Sequence, residues 1–179
     1  MTDFHLSTSW LRANCIRAHF FGLGFIQVKL DDRRRVHFYH QDTPAFVEEP
    51  HDHRYDFIST VLKGTLVNHI WRLVPGDSHQ VSYENCRQGG PEPPPGFRSG
   101  VESVGHFPVH ADSGYHINSE VFHTVHPDFF SGPVITFIER ELPKKEFARA
   151  VQSGESVCPF SRPMAEEEVW AIVEKCIEY

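Results

Sequence analysis

Two histidines one residue apart, at the head of a run of β-forming residues, constrain this chain more than any other stretch. The run reads His51-Asp-His-Arg-Tyr-Asp-Phe-Ile-Ser-Thr-Val-Leu-Lys-Gly-Thr-Leu-Val-Asn-His-Ile-Trp71. In an extended strand alternate side chains share a face, so His51 and His53 are expected to point the same way. Two imidazoles on one face are half of a metal site, since neutral imidazole binds zinc, iron, copper and nickel. The Val, Ile, Thr and Leu that follow, with Gly64 among them, read as strand, turn, strand. The pair is therefore expected on a sheet rather than on a tail. Without a bulge, Val61, Lys63, Thr65, Val67, His69 and Trp71 would share one face.

The flanking chain supplies more short strands. Phe25 to Leu30 alternates, Asp31-Asp-Arg-Arg-Arg35 reads as a charged, solvated turn in preference to an anion site, and Val36 to His40 returns, which predicts a hairpin over 25–40. Pro75 to Ser78 reads as a turn and Gln80 to Glu84 as a short strand. Asn85 to Gly100 is crowded with Gly and Pro and predicts a long loop, a plain excursion before a lid. Strands are expected within Val101 to Val109 and Gly114 to Val125, and Val134 to Ile138 reads as a buried one. The one clear helix is Ala165 to Ile177, where Val169, Trp170, Val173 and Ile177 recur at helical spacing behind Glu166 to Glu168. Residues 1–20 read as irregular or partly helical.

Many short strands with Gly and Pro turns and one terminal helix mean an all-β barrel or sandwich. The 179 residues suffice for one domain spanning 1–179, its barrel core at about 25–140 and its C-terminal extension and helix at 141–179. A net charge of −7 argues against nucleic acid or an anionic membrane as partner, because both need a basic face. The fifteen Phe suggest an aromatic core or a lined pocket. The four cysteines form no Cys-x-x-Cys pair, which disfavours a structural zinc site, and Cys86 in the long loop reads as an inert thiol. No secretory signal opens the sequence and no apolar run approaches a membrane span, so a cytoplasmic protein with free thiols is expected.

A second histidine signal lies in Glu120-Val-Phe-His123-Thr-Val-His-Pro127. Together, His51-x-His53 with Gly64 and this later segment resemble the two motifs of the cupin superfamily, over roughly residues 45–140. The resemblance implies a double-stranded β-helix (jelly-roll) barrel with one divalent metal at its mouth, held by His51, His53 and His123. The first cupin motif usually carries a Glu where this sequence has Phe57. Either Asp56 swings in as the carboxylate, or three histidines act alone with open positions left on the metal; the second reading is preferred. Within cupins, Val61-Leu-Lys-Gly64 and Phe122-His-Thr-Val125 look like the three-histidine site of the cysteine (thiol) dioxygenase group. The strand Ile135 to Glu139 lacks the Ser, His and Tyr array that this group often carries there.

The remaining candidates follow from these. His69 and Tyr115 are the expected proton-transfer residues, weighed against packing roles. His126 is expected on the face opposite His123; His106, His110 and His116 are candidates for the mouth. Tyr55 could donate a hydrogen bond to a ligand, and Arg54 and Arg140 could clamp a carboxylate. The resulting expectation is a metal-dependent cupin. Its leading form is a non-haem iron(II) dioxygenase acting on a small polar molecule, with room for a homodimer. Two alternatives stand beside it: a non-catalytic small-molecule or metal-binding cupin, and an isomerase or hydrolase using zinc, nickel or manganese.

Overall fold

The structure, a computed structural model, describes residues 6–44, 48–84, 91–152 and 163–179. Cys86 and Cys158, and the first part of the expected long loop, lie outside the described residues. Two antiparallel sheets carry the fold. In the larger, β1 (Arg17–Phe21), β2 (Phe25–Lys29) and β3 (Arg34–Tyr39) form a meander; β9 (Val134–Arg140) lies beside β3, then β4 (Phe57–Lys63), then β7 (Ser113–Ile117) at the edge. In the smaller, the long β5 (Thr65–Glu84) is flanked by β6 (Phe97–His110) on one side and by β8 (Phe122–Asp128) and β10 (Ala148–Gln152) on the other. No ladder joins the two sheets among the described residues, so the expected closed barrel is not what the strands build.

The larger sheet is buried on both faces, as the burial of four of the five β2 residues records. Its outer face presents Phe20, Ile26, Val28, Val36, Phe38 and Ile135. Against it pack Leu11 of α1 (Thr8–Asn14) and Val169, Trp170, Ile172, Val173 and Cys176 of α2 (Glu166–Glu178). Each such side chain removed from water is worth about 1.5–3 kcal/mol. The predicted C-terminal helix is thus present, shifted by one residue, and its apolar stripe faces the sheet. Lys63 reaches over to donate from Nζ to the carbonyls of Cys176 and Ile177 at 2.9 and 3.3 Å, answering the unpaired acceptors and negative end of α2. No described helix is long and apolar enough to cross a membrane. Cys15 and Cys176 are free thiols.

The inner face meets the smaller sheet. Its closed end is apolar, with Phe25, Tyr39, Val61 and Val134 against Leu66 and Val109. Further along, the buried side chains turn polar: Gln27, His37, Ser59, Thr136 and, across the gap, Asn68. Buried polar side chains in this number depart from a simple apolar core.

The chain changes sheet at Gly64, whose φ of +75° favours glycine; a Cβ there would lie 2.8 Å from the Pro133 carbonyl oxygen. The register also slips between Val61 and Lys63. The simple alternation expected from Val61 to Trp71 is therefore broken. Val61 and Leu66 face inward, while Val67 and His69 face out on the other side of β5. Other expectations are corrected in the same way. Pro75 to Ser78 interrupts pairing but does not end β5, and β6 begins at Phe97 inside the expected loop. The ladders reach from Arg17 to Gln152, beyond the expected 25–140 core.

Candidate metal centre

His51, His53 and His123 converge: one ligating nitrogen from each lies within 4.8 Å of the others. The pair does not sit on a regular strand as its spacing suggested. His51 makes isolated bridges to His123 on one side and Ala150 on the other. Its N–H donates to the His123 carbonyl at 3.1 Å and the His123 N–H returns the bond at 2.9 Å. The chain from 52 to 56 is irregular, and β4 starts only at Phe57. His123 is the second residue of β8 and faces inward beside Ile70 of β5.

Asp52, between the two histidines, holds this irregular segment. Its carboxylate is fully buried and accepts from Arg149 N and Nε, both at 2.6 Å, and from Lys145 Nζ. Its own N–H donates to the Arg149 carbonyl at 2.9 Å. The loop is thereby clamped to β10 by bonds that a solvent-exposed turn would lack.

The rings are prepared for ligation. A carbonyl oxygen only accepts, so the 3.0 Å contact between His51 Nδ1 and the Glu49 carbonyl places the proton on Nδ1 and leaves Nε2 a lone pair. His123 Nδ1 faces Asn68 Oδ1 at 3.4 Å with the same consequence. His53 Nε2 lies 2.8 Å from His123 Nε2. Burial, reinforced by the neighbouring imidazoles, holds both His53 and His123 well below the ordinary imidazole range, so they are neutral at pH 7. Two nitrogens aimed at each other this closely need a proton or a cation between them. Three imidazole nitrogens grouped in this way could hold a divalent ion.

Aromatic rings wall the centre. Phe57 stands edge-on to His53 at 4.8 Å and 5.8 Å from His123, where the cupin pattern would have a carboxylate. Tyr55 stacks on His53 at 5.7 Å. Behind His123, Asn68 leads to Tyr115, whose hydroxyl faces Ser59 and Asn68 and whose pKa is raised by burial. Glu48 lies 4.0 Å from His51 Nδ1, accepts from Val125 N–H at 2.5 Å, and has its pKa raised by burial.

Other predicted residues fall elsewhere. Asp56 is not in the cluster: its carboxylate accepts from Ser119 N–H at 2.8 Å and pairs with Lys144, which together hold its pKa at about 2. His69 points out of the opposite face of β5, stacked on His106 at 5.2 Å and edge-on to His126 at 4.9 Å, so it does not reach the centre. His126 faces away as expected, and His106 joins it there. His110 bonds to Thr65 at 3.1 Å, and His116 is exposed beside Ile58. Arg54 reaches toward the Glu146 carbonyl, while Arg140 lies over the Tyr55 ring at 4.8 Å.

Sequence reasoning missed Glu48, Asp52, Asn68 and Arg35. Asp52 had a signal, an acid enclosed by two histidines, but nothing marks a residue whose partners lie about a hundred positions away. Arg35 was read within a solvated turn; it is instead the second residue of β3, facing inward.

Comparison with known proteins returns no matching family model, and no curated protein matches the chain.

Proposed function

We propose that this chain is a cupin-type metalloprotein: a non-haem iron(II) dioxygenase for a small polar molecule, closest in ligand set to the three-histidine thiol dioxygenases. The observation that carries the reading is the convergence of three imidazoles, one nitrogen of each within 4.8 Å of the others, with Nδ1 of His51 and of His123 set against oxygen acceptors. Iron(II), when bound, supplies a centre at which dioxygen and a substrate can be brought together. The chain's own residues do the rest. Asn68 fixes the His123 ring, as residues behind a metal ligand commonly do. Phe57 and Tyr55 exclude water from one side. Tyr115 keeps its proton at neutral pH and holds a donor one side chain behind the centre.

The test is metal content followed by oxygen uptake. Protein refolded or purified without metal is expected to take up one equivalent of iron(II) and then to consume oxygen with a small organic substrate. Stoichiometric ligand binding without turnover would instead identify a binding protein. Zinc- or nickel-dependent turnover under nitrogen would identify an isomerase or hydrolase. Failure to bind any divalent ion would remove the reading altogether.

A further inference from the structure

Three histidines take no part in the centre described above, yet they too lie together. His69 of β5 pairs directly with His106 of β6, and His126 of β8 pairs with Val67, the next residue on the same face of β5. All three rings therefore stand on the face of the smaller sheet that looks away from the metal centre. His69 lies between the other two, its ring centroid 5.2 Å from that of His106 and 4.9 Å from that of His126. Those separations match the 4.9, 5.0 and 5.1 Å between the rings of the metal centre. His106 and His126 are exposed and His69 partly so. No hydrogen bond or ion pair engages any of the three rings among the described residues.

Sheet stability gives little reason for this group. Neutral rings on adjacent strands gain only modestly from one another, and protonated ones repel. Burial, then His126 and His106, hold His69 below its ordinary value, so it keeps a lone pair at pH 7. A divalent cation turns the same crowding into an attraction, because each neutral ring offers it a nitrogen. Such a nitrogen sits about 2.0–2.1 Å from a zinc ion, so two rings can share one ion only as close neighbours, which His69 is to each of the others. The trio does not converge as the centre does. Among the described residues only His51, His53 and His123 bring three donor atoms within 4.8 Å of one another. An ion on this face is therefore held by two rings at a time, His69 and one neighbour, with water in its other positions. Imidazole suits nickel, copper and zinc, and nickel and copper rank above iron(II) in affinity for a given site.

We infer that His69, His106 and His126 form a second divalent-metal site on the open face of the smaller sheet, taking nickel(II), copper(II) or zinc(II) through His69 and either of its neighbours. The site is weaker than a three-ring centre, since two nitrogens hold the ion and solvent reaches it. The inference needs nothing from the metal-centre reading above.

The experiment is calorimetric titration of the metal-free whole chain with nickel(II). The wild type is expected to show, beyond the tight equivalent at the three-histidine centre, a second equivalent of micromolar affinity. His69→Ala should remove that second equivalent and leave the first. His106→Ala or His126→Ala alone should weaken it only about twofold, because the other pairing remains, while the two together should remove it. A merely structural role for the rings would not produce that non-additive pattern. His110→Ala, on the same face but with Nδ1 bonded to Thr65 at 3.1 Å, should change nothing. Should His69→Ala not fold, the double variant at the exposed His106 and His126 carries the same test. No second equivalent, or one indifferent both to His69→Ala and to the double variant, would overturn the inference with binding at the centre intact. A single micromolar equivalent that His69→Ala abolishes and His123→Ala spares would sustain the inference and overturn the metal-centre reading instead.

Discussion

The molecule contains two trios of histidines, and they are built differently. In His51, His53 and His123 every pair of rings is in contact, with centroids 4.9, 5.0 and 5.1 Å apart, so the three form a triangle about a point. In the second, His69 stands between His106 and His126 at 5.2 and 4.9 Å, one residue from each of three adjacent strands. That trio is a row. Neighbouring strands lie about 4.8 Å apart, so side chains on one face of a regular ladder fall in line at that spacing. A ladder alone cannot aim three of them at one point. The triangle exists because two of its members leave the ladder: His51 is an isolated bridge and His53 lies in irregular chain. It is also backed, by the Glu49 carbonyl and by Asn68, whereas no hydrogen bond to a ring of the row is present among the described residues.

The sharpest way to break this comparison is to remove one corner of the triangle. His123→Ala is expected to weaken cobalt(II) or iron(II) binding by roughly a thousandfold, about 4 kcal/mol, measured by competition with a chelator. A variant that still binds tightly would show that the triangle is not the site. The next effect concerns the irregular segment that the triangle needs and the row does not. Asp52→Ala would leave Lys145 and Arg149 facing a buried gap, and should cost about 3–5 kcal/mol in urea unfolding. Glu102→Ala, which breaks the exposed pair with Arg72 on the ladder that bears His106, should cost no more than about 1 kcal/mol. Equal costs would mean that the segment holding His51 and His53 is not specially anchored.

These differences also explain how much could be seen in advance. The three histidines of the cluster were legible because a His-x-His pair and a third His on a strand are local patterns. The β-rich class and the C-terminal helix were legible from period-two and helical spacing, since burial writes those periods directly into sequence. What failed depended on breaks in regularity. One positive-φ glycine and one register slip turned His69 from the interior to the outside. Arg35 changed from turn to inward strand because β3 starts two residues earlier than its apolar run. Asp52 and Asp56 present the same letter to a reader. Only the distant Lys144, Lys145 and Arg149 decide that both are structural anchors rather than ligands.

Acid should separate the trios as well. Four interior histidines are held neutral. Burial lowers His19 to about 4, and it lowers His37, His53 and His123 well below their ordinary value. The unfolded chain takes up their protons first as pH falls below about 6.5. Their contribution is therefore complete above that pH and declines on acidification, by about 1.4 kcal/mol per pH unit for each histidine, for His19 down to about pH 4. In metal-free protein, urea midpoints should fall between pH 6.5 and 5. His53→Gln should flatten that fall by one such increment where the variant remains folded. An unchanged slope would place the protonation elsewhere.

The smallest effect is the one that tests the row itself. His69 is lowered only from its ordinary value, chiefly by burial and then by His126 and His106. Its ring is partly exposed and makes no hydrogen bond among the described residues, so His69→Ala removes two ring contacts and leaves no buried polar group behind. Stability should change by about 0.5–1 kcal/mol and metal affinity at the triangle by less than about twofold. Because His69 adjoins Ile70, which pairs directly with His123 across the ladder, a large loss of metal binding would be informative. It would mean that the two faces of β5 are coupled through the backbone, and that the row positions the strand on which the third corner depends.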